Sequence, residues 1–90
     1  MNTQRKNVSE FFGILICMYY NDHAPAHFHA QYAEYEALFT IETLEIHSGD
    51  LPRRAHALVL EWASLYRAEL IDNWEKARRG LQLEQIQPLE

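Results

Sequence analysis

The chain has 90 residues, with eight Lys or Arg against thirteen Asp or Glu and a formal net charge of −5. That balance excludes a broad, sequence-independent grip on nucleic acid, which comes from neutralising phosphates with cationic side chains, while 48% hydrophobic residues with five Tyr, four Phe and two Trp exclude disorder. The single cysteine, Cys17, has no internal disulfide partner, and the longest apolar run, Phe11 to Tyr20, is about half a bilayer span and follows no basic leader, so a cytoplasmic protein without a membrane segment is expected.

A chain of this length buries roughly 60–65% of the surface that its unfolded form exposes, enough for one core, so residues 1–90 are expected to form a single domain. Met1 to Ser9 is polar and reads as a flexible arm. Phe11 to Tyr20 is apolar on both alternating faces and too short for a typical helix, which predicts a central strand. Asn21, Asp22 and Pro25 then carry turn chemistry, since Asn and Asp tolerate left-handed backbone and Pro fixes its own φ.

Beyond the turn, Phe28, Ala30 and Tyr32 alternate with His27, His29 and Gln31, the pattern of a half-buried strand whose polar face displays imidazoles. After a tight connection at 33–35, Ala37, Phe39 and Ile41 alternate inward along a third strand, and Leu44 to His47 continues the sheet. This register puts Glu36, Thr40, Glu45 and His47 on the side of His27 and His29.

Asp50 is the expected helix N-cap with Pro52 in the first turn. Ala55, Leu58, Val59, Trp62, Leu65, Tyr66, Leu70, Trp74 and Ala77 recur at three and four, so one long amphipathic helix is expected to reach Arg79 and stop at Gly80. The tail, 81–90, is extended in pattern and suits packing on the domain or on a partner. The expected fold is α+β: a three- to four-stranded antiparallel sheet (about 11–20, 27–33, 36–41 and 44–47) packed on one C-terminal helix (about 52–79).

The blocks Met18-Tyr19-Tyr20-Asn21-Asp22-His23, His27-Phe28-His29-Ala30, Gly49-Asp50-Leu51-Pro52-Arg53-Arg54-Ala55 and Leu58-Val59-Leu60-Glu61-Trp62 together resemble the domain-of-unknown-function 4160 family of small bacterial proteins. The resemblance runs from about Ser9 to Leu89. It implies a compact protein encoded beside a small partner of the domain-of-unknown-function 2442 type, in an arrangement like that of toxin–antitoxin pairs, with the toxin role falling to this family. Ala26 stands where relatives commonly carry a second proline, and His56 stands at a position expected to be apolar.

The chemistry concentrates between Tyr19 and His29. His27 and His29, two apart on a strand, project to one side and can chelate one ion, with Asp22 or His23 as the third ligand. Imidazole and carboxylate suit zinc or another divalent transition metal.

Without a metal, the two imidazoles, with His23 nearby, are candidates for base and acid in cleaving RNA through its 2′-hydroxyl. Arg53 and Arg54 would steady the phosphate and Tyr20 would assist. Positive charge at a helix N-terminus is unfavourable by the dipole, so Arg53 and Arg54 either bridge Glu36 or Glu45 or meet an anion. Three classes follow: a toxin-like effector acting on RNA, a His/Asp metal-binding protein or enzyme, and a non-catalytic interaction module that works in a heteromer. In the bland alternative His27 and His29 are solvated and Asp22 and His23 only shape the turn.

Overall fold

A computed structural model describes residues 4–90. It is an α+β structure in which five antiparallel strands, in the order β1-β2-β3-β4-β5, carry two helices on one face. The strands are β1 (Arg5–Phe11), β2 (Ile14–Tyr19), β3 (His27–Tyr32), β4 (Tyr35–Thr40) and β5 (Ile46–Gly49), and the helices are α1 (Arg53–Leu65) and α2 (Arg67–Arg78). Among the described residues no helix is long and apolar enough to cross a membrane.

The sheet has five strands where three to four were expected, and the reason lies at Phe12 and Gly13. Phe11 pairs with Ile14, so these two residues form the whole loop, with φ of 51° and 79°. Positive φ at both positions suits the right-handed twist of a tight hairpin. Residues 5–9, expected to be part of an arm, instead form most of the edge strand β1, while Met1 to Thr3 lie outside the described residues. A bulge between Asn7 and Ser9 leaves Val8 as the extra residue, fully buried.

The expected central strand is thereby shortened to β2, whose Ile14, Ile16 and Met18 face the helices. β3 and β4 lie within a residue of their expected bounds, joined by Ala33 and Glu34. β5 begins two residues later than expected. Gly49 must be glycine, because its φ is 83° and a Cβ there would sit 2.1 Å from the Glu36 carbonyl oxygen.

Asp50 does not cap the helix. Its backbone N–H donates to the Glu36 carbonyl at 3.0 Å, and Pro52 takes the N-cap position with no side-chain cap bond. The single expected helix breaks at Tyr66, whose φ and ψ of −121° and 28° leave helical geometry. Just before it, the Ser64 hydroxyl donates to the Glu61 carbonyl at 2.8 Å, the type of local back-bonding that bends helices. The break carries Leu65 out of the apolar stripe, to 63% exposure. Gly80, at φ 71°, ends α2 as expected, with Gly80 N–H bonded to the Ala77 carbonyl and Leu81 N–H to Lys76.

The core sits between sheet and helices. Phe28 stacks on Phe39 at 5.3 Å, and Trp62 meets Phe28 edge-on and Phe11 at 5.3 Å. Each such fully buried large apolar side chain contributes about 1.5–3 kcal/mol relative to exposure. The tail packs on this domain: Leu83 and Ile86 are buried, Ile86 N–H donates to the bulged Val8 carbonyl at 2.8 Å, and Trp62 Nε1 donates to the Gln87 carbonyl at 2.8 Å.

Candidate metal centre

Strand parity builds the site. Cys17 pairs with His29, and His27 pairs with Thr40, so Cys17, Tyr19, His27, His29, Glu36 and Thr40 share one sheet face, the one turned away from Phe28 and Ala30. Glu45, expected on this face, lies in the connection before β5, and His47 falls at the bulge between β4 and β5. The turn returns Asp22 to the start of β3. There the Asp22, His27 and His29 side chains bring one ligand atom each to within 4.8 Å of one another.

Both imidazoles are held from behind. His27 Nδ1 lies 2.8 Å from the Pro25 carbonyl, an acceptor only, so Nδ1 carries the proton that it donates. His29 Nδ1 lies 3.1 Å from the Glu36 carboxylate and takes the same role. The Nε2 atoms of both rings then turn to a single oxygen, Asp22 Oδ2, at 2.9 Å from His27 and 3.5 Å from His29. The shorter contact is a hydrogen-bond distance, whereas His29 Nε2 is buried without a hydrogen-bond partner.

Burial works to raise the Asp22 carboxyl, but the His23 backbone N–H at 2.9 Å and the neighbouring imidazoles outweigh it, leaving its pKa below the ordinary aspartate value. Asp22 is therefore an ionised acceptor, and the Nε2 edges of both imidazoles converge on its Oδ2. Four-coordinate zinc with N and O ligands at about 2.0–2.1 Å places those ligands roughly 3.4 Å apart, close to the separations seen here. The walls are aromatic: Tyr19 meets the His29 ring edge-on at 4.6 Å, and Trp74 lies 5.1 Å from the His27 ring.

Other sequence candidates stand elsewhere. His23 contributes its backbone N–H, and its imidazole is outside the cluster. Tyr20 lines a separate depression with Gln4, Gly80 and Gln82. Arg53 and Arg54 are exposed at the start of α1, and among the described residues neither bridges Glu36 or Glu45. Arg54 shares a small cavity with Phe12 and Tyr32, at the far end of β3 from His27. Five residues of strand separate those ends by about 17 Å, which sets Arg54 apart from the imidazoles.

Glu36, Tyr19, Trp74 and the Pro25 carbonyl belong to the site without having been proposed for it. Glu36 had the right face in the sequence, but the partner expected for it was Arg53 or Arg54 rather than His29, and Tyr19 shares the parity of Cys17. Trp74 reaches His27 only through tertiary packing.

A family model described as Domain of unknown function (DUF4160) matches residues 13–75. No curated protein and no solved structure matches the chain.

Proposed function

The chain belongs to the DUF4160 family, and from the site that residues 13–75 contain we propose that it is a divalent transition-metal protein, with Asp22, His27 and His29 as ligands and an open coordination position. The observation that carries this reading is the orientation of the two imidazoles. Each Nδ1 is engaged by an acceptor behind it, at Pro25 or Glu36, which leaves both Nε2 atoms aimed at Asp22. Outer acceptors of this kind fix the tautomer and ring angle of metal-binding histidines.

Two imidazoles and one carboxylate suit zinc or iron(II), and three protein ligands leave room for water. A bound metal would supply a water of lowered pKa and a Lewis acid for polarising a carbonyl or phosphoryl oxygen. The chain's own contribution is to orient: Pro25 and Glu36 hold the rings, His23 N–H holds Asp22, and Tyr19 and Trp74 restrict solvent. Hydrolysis is the reaction class that this arrangement favours.

The toxin-like reading, in which the pair cleaves RNA without a metal and a domain-of-unknown-function 2442 partner restrains it, needs a phosphate-binding cation beside the imidazoles. Arg54 lines a cavity at the opposite end of β3 from His27, which favours the metal reading. The test is metal analysis of protein purified without chelator, followed by zinc titration of the stripped protein. One zinc per chain, lost in His29→Ala, supports the proposal; substoichiometric metal with weak binding that His29→Ala does not change would sink it.

A further inference from the structure

A cavity lies beside the Pro25–Ala26 segment, and we propose that it binds a small molecule with an apolar body and a single carboxylate, the carboxylate seated on Arg67. The cavity has a volume of about 410 Å³, within the usual range for small-molecule sites. Pro25, Ala26 and Ile71 supply its apolar wall. Ile71 is 39% exposed, a large aliphatic side chain on α2 that the core leaves uncovered.

Polar recognition falls to Arg67. Its Nε donates to the Ile41 carbonyl at 3.0 Å, which fixes the side chain while leaving both terminal amino groups of the guanidinium for a ligand. Among the described residues no carboxylate lies within ion-pair distance of it. The two threonines in the lining are already engaged, because the Thr40 and Thr43 hydroxyls bond each other. A carboxylate matches the free guanidinium edge with two parallel hydrogen bonds.

Glu42 also lines the cavity. It balances Arg67, so the cavity has no excess positive charge to attract a polyanion, and a singly charged ligand with an apolar body fits better than a nucleic acid strand. None of the lining side chains is a ligand of the proposed metal. The site is therefore a separate prediction, and it adjoins the metal cluster through Pro25, whose carbonyl holds His27, and through Thr40, which pairs with His27 between β3 and β4.

The test is a titration of full-length, chelator-treated protein, followed by amide NMR, with 3-phenylpropanoate, with 3-phenylpropan-1-ol and with a short oligouridylate. Removing metal beforehand separates this result from the fate of the metal reading. The carboxylate is expected to shift the amides of Ala26, Thr43, Arg67 and Ile71, and to bind about tenfold more tightly than the alcohol, the scale of one charge-assisted contact. Arg67→Gln should erase the difference between the two. Ile71→Glu, at an exposed position that the fold tolerates, should weaken the carboxylate selectively. Equal binding of acid and alcohol, shifts that map elsewhere, or saturation of these same amides by the oligouridylate would overturn the assignment.

Discussion

Asp22 Oδ2 and His27 Nε2 lie 2.9 Å apart, while the other ring nitrogen of His27 is held at 2.8 Å by the Pro25 carbonyl. The ring is thus gripped at both ends by acceptors, only one of which a neutral imidazole can satisfy with its own proton. His29 repeats the arrangement between Glu36 and Asp22. Two rings caught in this way, converging on one oxygen, form a place that a cation relieves.

On the proposed metal reading, removing a ligand should cost more metal affinity than removing an outer partner. Asp22→Asn is expected to weaken zinc binding by more than about 100-fold, whereas Glu36→Gln, which leaves a weaker acceptor at His29 Nδ1, should fall in the range of about 10–100-fold seen for outer partners. Competition with a chromophoric chelator gives both values. Equal losses would mean that Asp22 is not itself a ligand.

The metal-free protein should show the Asp22 carboxylate in its acid response. Burial raises that group, the His23 N–H and the imidazoles lower it further, and the result lies below the ordinary value of 3.8. A carboxyl with a depressed folded pKa stabilises the fold fully above the unfolded value and loses that contribution as pH falls through the folded one. Wild type is thus expected to lose stability relative to Asp22→Asn as pH drops below 3.8, measured as urea midpoints of the two stripped proteins. A constant difference across that range would mean that the turn does not hold the carboxylate in its ionised form.

Cys17 should be chemically silent in the native state. Burial raises its thiol, Arg5 opposes and Glu36 adds, and the pKa reaches about 11. Iodoacetamide at about pH 8 should then label it only on unfolding, since the thiolate is the reactive form. Cys17→Ser should destabilise by about 1–3 kcal/mol, because a hydroxyl placed there has no evident partner, and urea unfolding reads the change. Rapid native labelling would show that the open face of the sheet breathes.

How much of this was legible depends on where each signal lives. β3 and β4 were readable because Phe28 and Ala30 alternate with His27 and His29, and Ala37 with Glu36 and Leu38. β1 was not, because Arg5, Lys6 and Asn7 show no apolar face and Phe12 occupies a turn backbone that Gly, Asn or Asp usually marks. The helix break left no proline or glycine to read, only the serine at Ser64. In the site, Asp22, His27 and His29 are close in sequence and were grouped there with His23, whose imidazole stands outside the cluster. Glu36 required the β3–β4 register, and the distance from His27 to Arg54 required knowing which end of the sheet receives α1.

The tail offers the sharpest stability test, because one polar side chain pins it. Asn73 is 1% exposed, its Nδ2 donates to the Glu84 carbonyl at 2.8 Å, and its Oδ1 accepts the Glu84 N–H at 2.9 Å. Deleting Leu83 to Glu90 would uncover the surfaces that Leu83 and Ile86 bury, at about 1.5–3 kcal/mol for each side chain, and would leave Asn73 unpaired for about 1–3 kcal/mol more. Those losses approach the total stability of many small domains, so the truncated chain is expected to lose the near-ultraviolet circular dichroism of Trp62 and Trp74. Asn73→Ala is the gentler probe. It removes both bonds to Glu84 while retaining Leu83 and Ile86, and it should speed hydrogen exchange at the Ile86 amide, which is bonded to the Val8 carbonyl at 2.8 Å. Unchanged protection at Ile86 would mean that apolar burial alone fastens the tail and that the paired hydrogen bonds at Asn73 only set its register.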